Sequence, residues 1–257
     1  MDSNEVIAML KRRGFKTLSF NPAEYLIFPS DMDRAFEESI YELLKKYSFR
    51  IFIRDVIKNR KSFSIENLLK YSTREWVERY LDFLLKRGVV EDIGDEKYRL
   101  KSTTVFSFGD TLEWFIAKVF EREFSSPALW GVRLRGAKAG GDYDVITSVE
   151  GRIVYVEVKS SPPKNVEEYE VASFLKRVEE LKPDVAIFLE DTKLRMKDKI
   201  VPFFEGFLKG KRFRVKRLRD EIFGIKDKVF ISNSKPDIVN NLSFCIQRNL
   251  TRKGFWQ

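Results

Sequence analysis

Histidine is missing altogether from the 257 residues, and cysteine occurs once, at Cys245. Without histidine, the Ser-His-Asp and Cys-His pairs have no base, so carboxylates, lysine and bound hard cations are the chemical equipment left. A lone cysteine excludes an intramolecular disulfide and leaves a thiolate zinc site short of ligands, which sets the expectation of an intracellular, cytoplasmic protein. No apolar run approaches the ~20 residues of a membrane span. Met1 to Gly14 is too polar and charged for a secretory leader, so no membrane partner is expected. Internal repeats and low-complexity tracts are absent as well.

Charge is plentiful. The 34% of charged residues beside 43% of hydrophobic ones describes a soluble globular chain. A formal net charge of +9 draws in polyanions, with nucleic acid ahead of an acidic membrane surface. Abundant Lys, Glu and Arg also suit a thermophile. At roughly 150 residues per domain, this length favours two compact units.

The clearest change in composition falls near Lys101 to Thr104, which predicts domains over 1–103 and 104–257. Helical spacing of Phe36, Ile40, Leu43 and Leu44, then of Phe49, Phe52, Ile53 and Val56, predicts two packed amphipathic helices. A short helix from Ser64 to Leu69 follows, then a longer one capped by Ser72 or Thr73 and stopped by Gly88. Val89–Asp92 and Lys97–Leu100 read as a hairpin. Helices followed by a hairpin, over about 48–100, resemble a winged helix. Its candidate recognition helix mixes Arg74, Arg79, Lys86 and Arg87 with Glu75, Glu78 and Asp82, and its wing carries Glu91, Asp92, Asp95 and Glu96. A phosphate-reading surface is normally basic, so DNA and a protein partner stand as equal alternatives. Residues 1–33 hold a helix over Asn4–Arg12 and strand-like pieces at Lys16–Phe20 and Tyr25–Phe28, with no role assigned.

The second half carries the chemistry. An apolar helix begins after Gly109 and Asp110, ends near Glu123 and contains Glu113. Strands over Leu129–Arg135, Tyr143–Val149 and Arg152–Val158 follow, the last two joined at Glu150-Gly151. Alternation along the third strand puts Glu157 and Lys159 on one face. Asp144 lies far enough before Glu157 for the hairpin to bring both carboxylates to one end. Burying such groups is costly unless they are paired or bind a cation. All-oxygen ligation suits Mg²⁺ or Mn²⁺. The plainer alternative makes Glu157 and Lys159 a cross-strand ion pair and Glu113 an exposed helix residue.

Gly141-Asp142-Tyr143-Asp144-Val145 followed by Glu157-Val158-Lys159 resembles the PD-(D/E)XK nucleases, particularly archaeal Holliday junction resolvases and restriction-endonuclease-like proteins, over about residues 105–235. The resemblance implies a mixed α/β fold, a restriction-endonuclease-like core whose central mixed sheet is flanked by helices. It implies that Asp144, Glu157 and the Val158 carbonyl bind Mg²⁺ or Mn²⁺, that Lys159 orients or deprotonates the attacking water, and that Glu113 completes the site. No proline precedes the aspartate, and Asp142 shares a strand face with Asp144, so the metal-binding aspartate is open, with Asp144 preferred.

Later segments read as a helix over Val166–Leu181, a buried strand over Asp184–Leu189, a helix over Met196–Leu208, a basic strand over about Arg212–Leu218, and a final strand and helix around Val229–Ile231 and Ile238–Ile246. Arg133, Arg135 and Lys138 are placed to guide nucleic acid toward the metal. Arg212, Arg214 and Lys216 offer a phosphate track beside the site, or an edge strand whose charge discourages aggregation. The expectation is a metal-dependent nuclease acting on DNA in repair, recombination or genome defence, with RNA still open as substrate. Its first rival is a non-catalytic DNA-binding or regulatory protein and its second a protein-interaction scaffold in a repair or genome-defence complex, and a protein partner or a homodimer is compatible with all three.

Overall fold

A computed structural model describes residues 3–29 and 31–251. In chain order the elements are α1 (Asn4–Arg12), β1 (Lys16–Ser19), α2 (Arg34–Lys45), α3 (Tyr47–Lys58), α4 (Arg74–Lys86), β2 (Val90–Gly94), β3 (Lys97–Leu100) and α5 (Gly109–Glu123). Then come β4 (Ala128–Arg135), β5 (Tyr143–Val149), β6 (Arg152–Lys159), α6 (Glu168–Leu181), β7 (Val185–Glu190), α7 (Ile200–Leu208), β8 (Lys216–Arg219), β9 (Ile222–Ile225), β10 (Val229–Asn233) and α8 (Ile238–Leu250). Two compact units form, one of residues 22–115 and the other of residues 1–21 with 116–257. The division therefore runs through α5 and gives α1 and β1 to the larger unit, whereas composition alone puts the boundary at 103/104.

In the smaller unit, Asp33 caps α2 by accepting from the Phe36 amide at 2.6 Å. Phe49, Phe52, Ile53, Val77, Tyr80 and Leu84 are buried where α3 meets α4, with the Phe49 and Tyr80 rings edge to face at 5.0 Å. The short helix expected over Ser64–Leu69 is a single 3-10 turn, Ile65–Leu68, closed by a capping box between Ser64 and Asn67. β2 and β3 pair as the expected hairpin, and Phe63 adds an isolated antiparallel bridge to Tyr98.

The larger unit is mixed α/β. Its eight-stranded sheet runs β1-β4-β5-β6-β7-β10-β9-β8, with β6, β7 and β10 mutually parallel and the other pairs antiparallel. β7 (VAIFLE) is buried along its whole length, as a strand with parallel neighbours and two covered faces must be. Val6 and Leu10 of α1, Val171 and Phe174 of α6 and Phe204 of α7 share one core with Ile146, Ile153, Tyr155 and Phe188 of the sheet. β1, whose role the sequence left unassigned, is an edge strand paired with β4 through Lys16 and Arg135. α8 is capped by Asp237 and tied down at its other end by Asn249, whose amide donates to the Asp227 carbonyl at 2.8 Å. Cys245 is fully buried on α8 and acts as a small apolar group; burial pushes its thiol pKa up. No helix of the described residues is long and apolar enough to cross a membrane.

The basic strand is shorter than expected, with Arg212 and Arg214 in the connection before β8. A strand not expected, β9, lies beside it. At Gly224 in β9 a Cβ would sit 2.6 Å from Leu218 Cδ1 and 3.6 Å from Phe230 Cδ1, so two neighbouring strands close over a missing side chain. Gly224→Ala is expected to destabilise the protein by about 1–3 kcal/mol through overpacking, seen as a lower urea midpoint at unchanged slope.

Candidate active site

β5 and β6 pair with Val145 opposite Val156, so the next residues outward, Asp144 and Glu157, face each other at the end of the ladder. Asp144 Oδ2 accepts from the Val158 amide at 2.7 Å, and this bond takes the place of a further ladder bond there. Glu157 is 2% exposed. Its carboxylate accepts from Arg177 Nη1 at 3.1 and 2.9 Å and from the Tyr155 hydroxyl, and it pairs with Lys159 Nζ at 3.0 Å. Lys159 Nζ also reaches Glu170 Oε1 at 3.1 Å, while Glu170 Oε2 accepts from the Glu167 amide and so closes the capping box of α6.

Electrostatics follow from this packing. Burial first, and the Glu157 carboxylate second, hold the Asp144 carboxyl well above the ordinary carboxylate range. Burial, then Glu157 and Asp144, also push the Tyr155 hydroxyl up. For Lys159, burial pulls the pKa down, but Glu157, Asp144 and Glu170 outweigh it and the net shift is upward. Lys159 is thus an ammonium at neutral pH.

Asp144, Glu157 and Lys159 are brought together as the alternation and hairpin register predict. Asp142 lies just before β5, and its carboxylate accepts from Arg133 Nε at 3.0 and 3.1 Å, so Asp144 is the aspartate that faces Glu157. Glu113 sits on the part of α5 that belongs to the smaller unit. Among the described residues no set of three acidic side chains gathers as a metal site. Asp144 and Glu157 still fit a hard divalent cation: Mg²⁺ is often held by one or two carboxylates, with waters and substrate phosphates completing its shell. The mutual repulsion that raises Asp144 is what such a cation relieves.

Arg177 was not among the expected site residues. Glu170, Phe174, Arg177 and Leu181 recur at four, three and four residues along α6, and so share one face of the helix. Phe174 and Leu181 on that face are fully buried. Two charges in register with an apolar stripe were the available signal, hidden in a helix rich in Glu. The loop before β5 is held from the same helix: Glu180 accepts from the Lys138 and Ala139 amides and from the Tyr143 hydroxyl, and Arg177 Nε donates to the Gly140 carbonyl at 3.2 Å.

Arg133, Arg135 and Lys138 are exposed on or just after β4, next to β5. Arg212, Arg214 and Lys216 are exposed too, but β8 is the outer edge of the sheet. Four strand spacings separate it from β6, about 19 Å, which sets Lys216 away from Glu157, whereas Arg212 and Arg214 precede β8 beside Lys211, whose Nζ lies 4.0 Å from Glu179 of α6. In the smaller unit each cation of α4 has a carboxylate partner: Arg74 with Glu66 at 2.7 Å, Arg79 with Glu75 at 2.7 Å and Lys86 with Asp82 at 2.7 Å.

Two solved structures share the architecture. VC1899 from Vibrio cholerae aligns with a TM-score of 0.51 at 12% identity, covering 75% of this chain and 53% of that one. Can2 from Sulfobacillus thermosulfidooxidans, determined in complex with cyclic tetra-adenylate, aligns with a TM-score of 0.51 at 11% identity, covering 95% of this chain and 60% of that one. The likeness is one of fold. The chain spans little more than half the length of these neighbours. No family model and no curated protein matches it.

Proposed function

We propose that the chain is a divalent-metal-dependent nuclease of the PD-(D/E)XK type that hydrolyses phosphodiester bonds in DNA and serves repair, recombination or genome defence. The observation that carries this reading is the opposition of Asp144 and Glu157 at a strand end, with Lys159 on the same face and in contact with Glu157. Mg²⁺ or Mn²⁺ held by Asp144, Glu157 and the Val158 carbonyl would supply Lewis acidity at the phosphoryl group and a water of lowered pKa. Lys159, placed by Glu157 and Glu170, would orient the attacking water or compensate negative charge developing on the phosphoryl oxygens. Glu170 orients Lys159 from the first turn of α6.

The test is incubation with labelled single-stranded, duplex, flap and four-way-junction DNA, and with RNA, in Mg²⁺, Mn²⁺ or EDTA. Metal-dependent cleavage that EDTA stops is expected, and it identifies the substrate. Binding without cleavage on every substrate would transfer the reading to a regulatory DNA-binding protein, which the Glu157-Lys159-Arg177 ion network favours.

Phosphate attraction comes from exposed cations without carboxylate partners. Among the described residues Arg212, Arg214 and Lys216 have no carboxylate partner within 4 Å, whereas the α4 cations do, which favours a protein partner for the smaller unit. Replacing all three by alanine is expected to weaken DNA binding and to lower the slope of log affinity against log salt by up to about 3, at roughly 0.9 per phosphate contact. Arg74→Ala with Arg79→Ala is expected to change both by little. Filter binding or anisotropy between 50 and 200 mM salt measures the two.

A further inference from the structure

We propose that Arg177 is the substrate-phosphate ligand of this site: it holds Glu157 while the site is empty, and moves to an oxygen of the DNA backbone when a divalent cation takes the Glu157 carboxylate. This rests on the nuclease reading above.

Three observations carry it. Both Glu157 oxygens accept from Arg177 Nη1, at 3.1 and 2.9 Å, so the cation that would use this carboxylate competes with the guanidinium for the same lone pairs. The charges make an exchange the natural outcome. A divalent cation on Glu157 brings a second positive charge against the Arg177 guanidinium, which contacts the same carboxylate. A backbone phosphate relieves that repulsion by accepting the guanidinium. A guanidinium is suited to both partners because its planar fork matches carboxylate and phosphate alike.

The third observation is access. Arg177 Nη2 lies under Gly141, where a Cβ would come within 2.5 Å of it, and Gly141 is exposed. The Arg177 side chain keeps 13% of its surface exposed, and a side chain at position 141 would collide with its Nη2. Its Nε donates to the Gly140 carbonyl, so release from Glu157 leaves the group anchored at the rim. Tyr155 and Lys159 stay with Glu157 throughout, which keeps that carboxylate in place during the exchange.

The test separates metal binding from turnover. In Arg177→Gln, Mn²⁺ titrated alone and followed by the electron paramagnetic resonance of the free ion is expected to bind about tenfold tighter, since one charge-assisted competitor is gone. Cleavage of the DNA substrate preferred by the wild type is expected to fall about 100-fold, with loss of the phosphate contact. Loss of a merely structural Arg177 lowers cleavage too, but it weakens Mn²⁺ binding as the site loosens. Mn²⁺ binding that is unchanged or weaker overturns the proposal, as does wild-type cleavage. Arg177→Met, which keeps the apolar stem, serves if the Gln variant does not fold, with the same two expectations. Failure of the nuclease reading looks different: the wild type then neither cleaves nor loses Mn²⁺ binding on Asp144→Ala.

Discussion

Lys159→Ala is expected to lower metal-dependent DNA cleavage by about 10³-fold while leaving the fold intact, because a preorganised charge aimed at the developing oxyanion contributes ~10²–10³ in rate. The ammonium is placed by two carboxylates, Glu157 at 3.0 Å and Glu170 at 3.1 Å, on two different elements. Removing it leaves Glu157 with Arg177 and the Tyr155 hydroxyl, so that carboxylate stays compensated. Glu157→Ala is the less informative variant. It strands Lys159 and Arg177 around a vacated acceptor, and breaking a buried pair from one side costs about 3–5 kcal/mol, enough to confuse lost chemistry with lost structure. The measurement is cleavage rate beside a urea midpoint for each variant. Undiminished cleavage by Lys159→Ala would reduce the Glu157-Lys159 pair to a structural contact and remove the strongest support for a nuclease.

How far the sequence led can be followed element by element. β5 begins and ends where alternation and the Glu150-Gly151 turn put it, and α5 covers the expected apolar span to Glu123 while beginning two residues earlier, at Gly109. The opposition of Asp144 and Glu157 is then simple register, because a hairpin with a fixed turn leaves one pairing open to it. β1 was visible as a strand-like piece, but its partner β4 lies more than a hundred residues on, and nothing in local spacing encodes such a pairing. β9 was invisible for a different reason: it has four residues, one of them Gly224, between charged turns.

Arg177 shows the limit most clearly. Its importance depends on a helix that follows β6 folding back over the same face that presents Glu157. Charge alternation along Leu175 to Leu181 reads equally well as a solvated surface. Only the apolar register of Phe174 and Leu181 marks the arginine as inward. The basic run from Lys209 to Arg219 divides in the structure: Lys216 to Arg219 form β8 at the far edge of the sheet, while Lys211 reaches Glu179 of α6, the helix that carries Arg177. Sheet order decides such distances, and strand order is not a local property of sequence.

Phe174→Ala is expected to have the largest effect on stability, about 3–5 kcal/mol, which is a major part of the ~5–15 kcal/mol available to a domain. The ring is fully buried and stands 5.7 Å from Tyr155, 5.5 Å from Phe188 and 6.0 Å from Phe204, so one side chain joins α6 to β6, β7 and α7. None of the three neighbours can refill the space alone, since each is itself an aromatic ring fixed on a different element. The substitution also bears on function, because Phe174 lies on α6 between Glu170 and Arg177, the partners of Lys159 and Glu157. Any movement of α6 toward the cavity shifts both of them. Phe174→Leu, which keeps most of the apolar volume, is expected to cost about 1–2 kcal/mol and to retain cleavage. Urea unfolding reads the first effect as a drop in midpoint at constant slope, and cleavage under conditions where each variant is fully folded reads the second. A loss below about 1 kcal/mol for Phe174→Ala would show that α6 does not bear on the sheet through this ring, and the placement of Arg177 would then need another support.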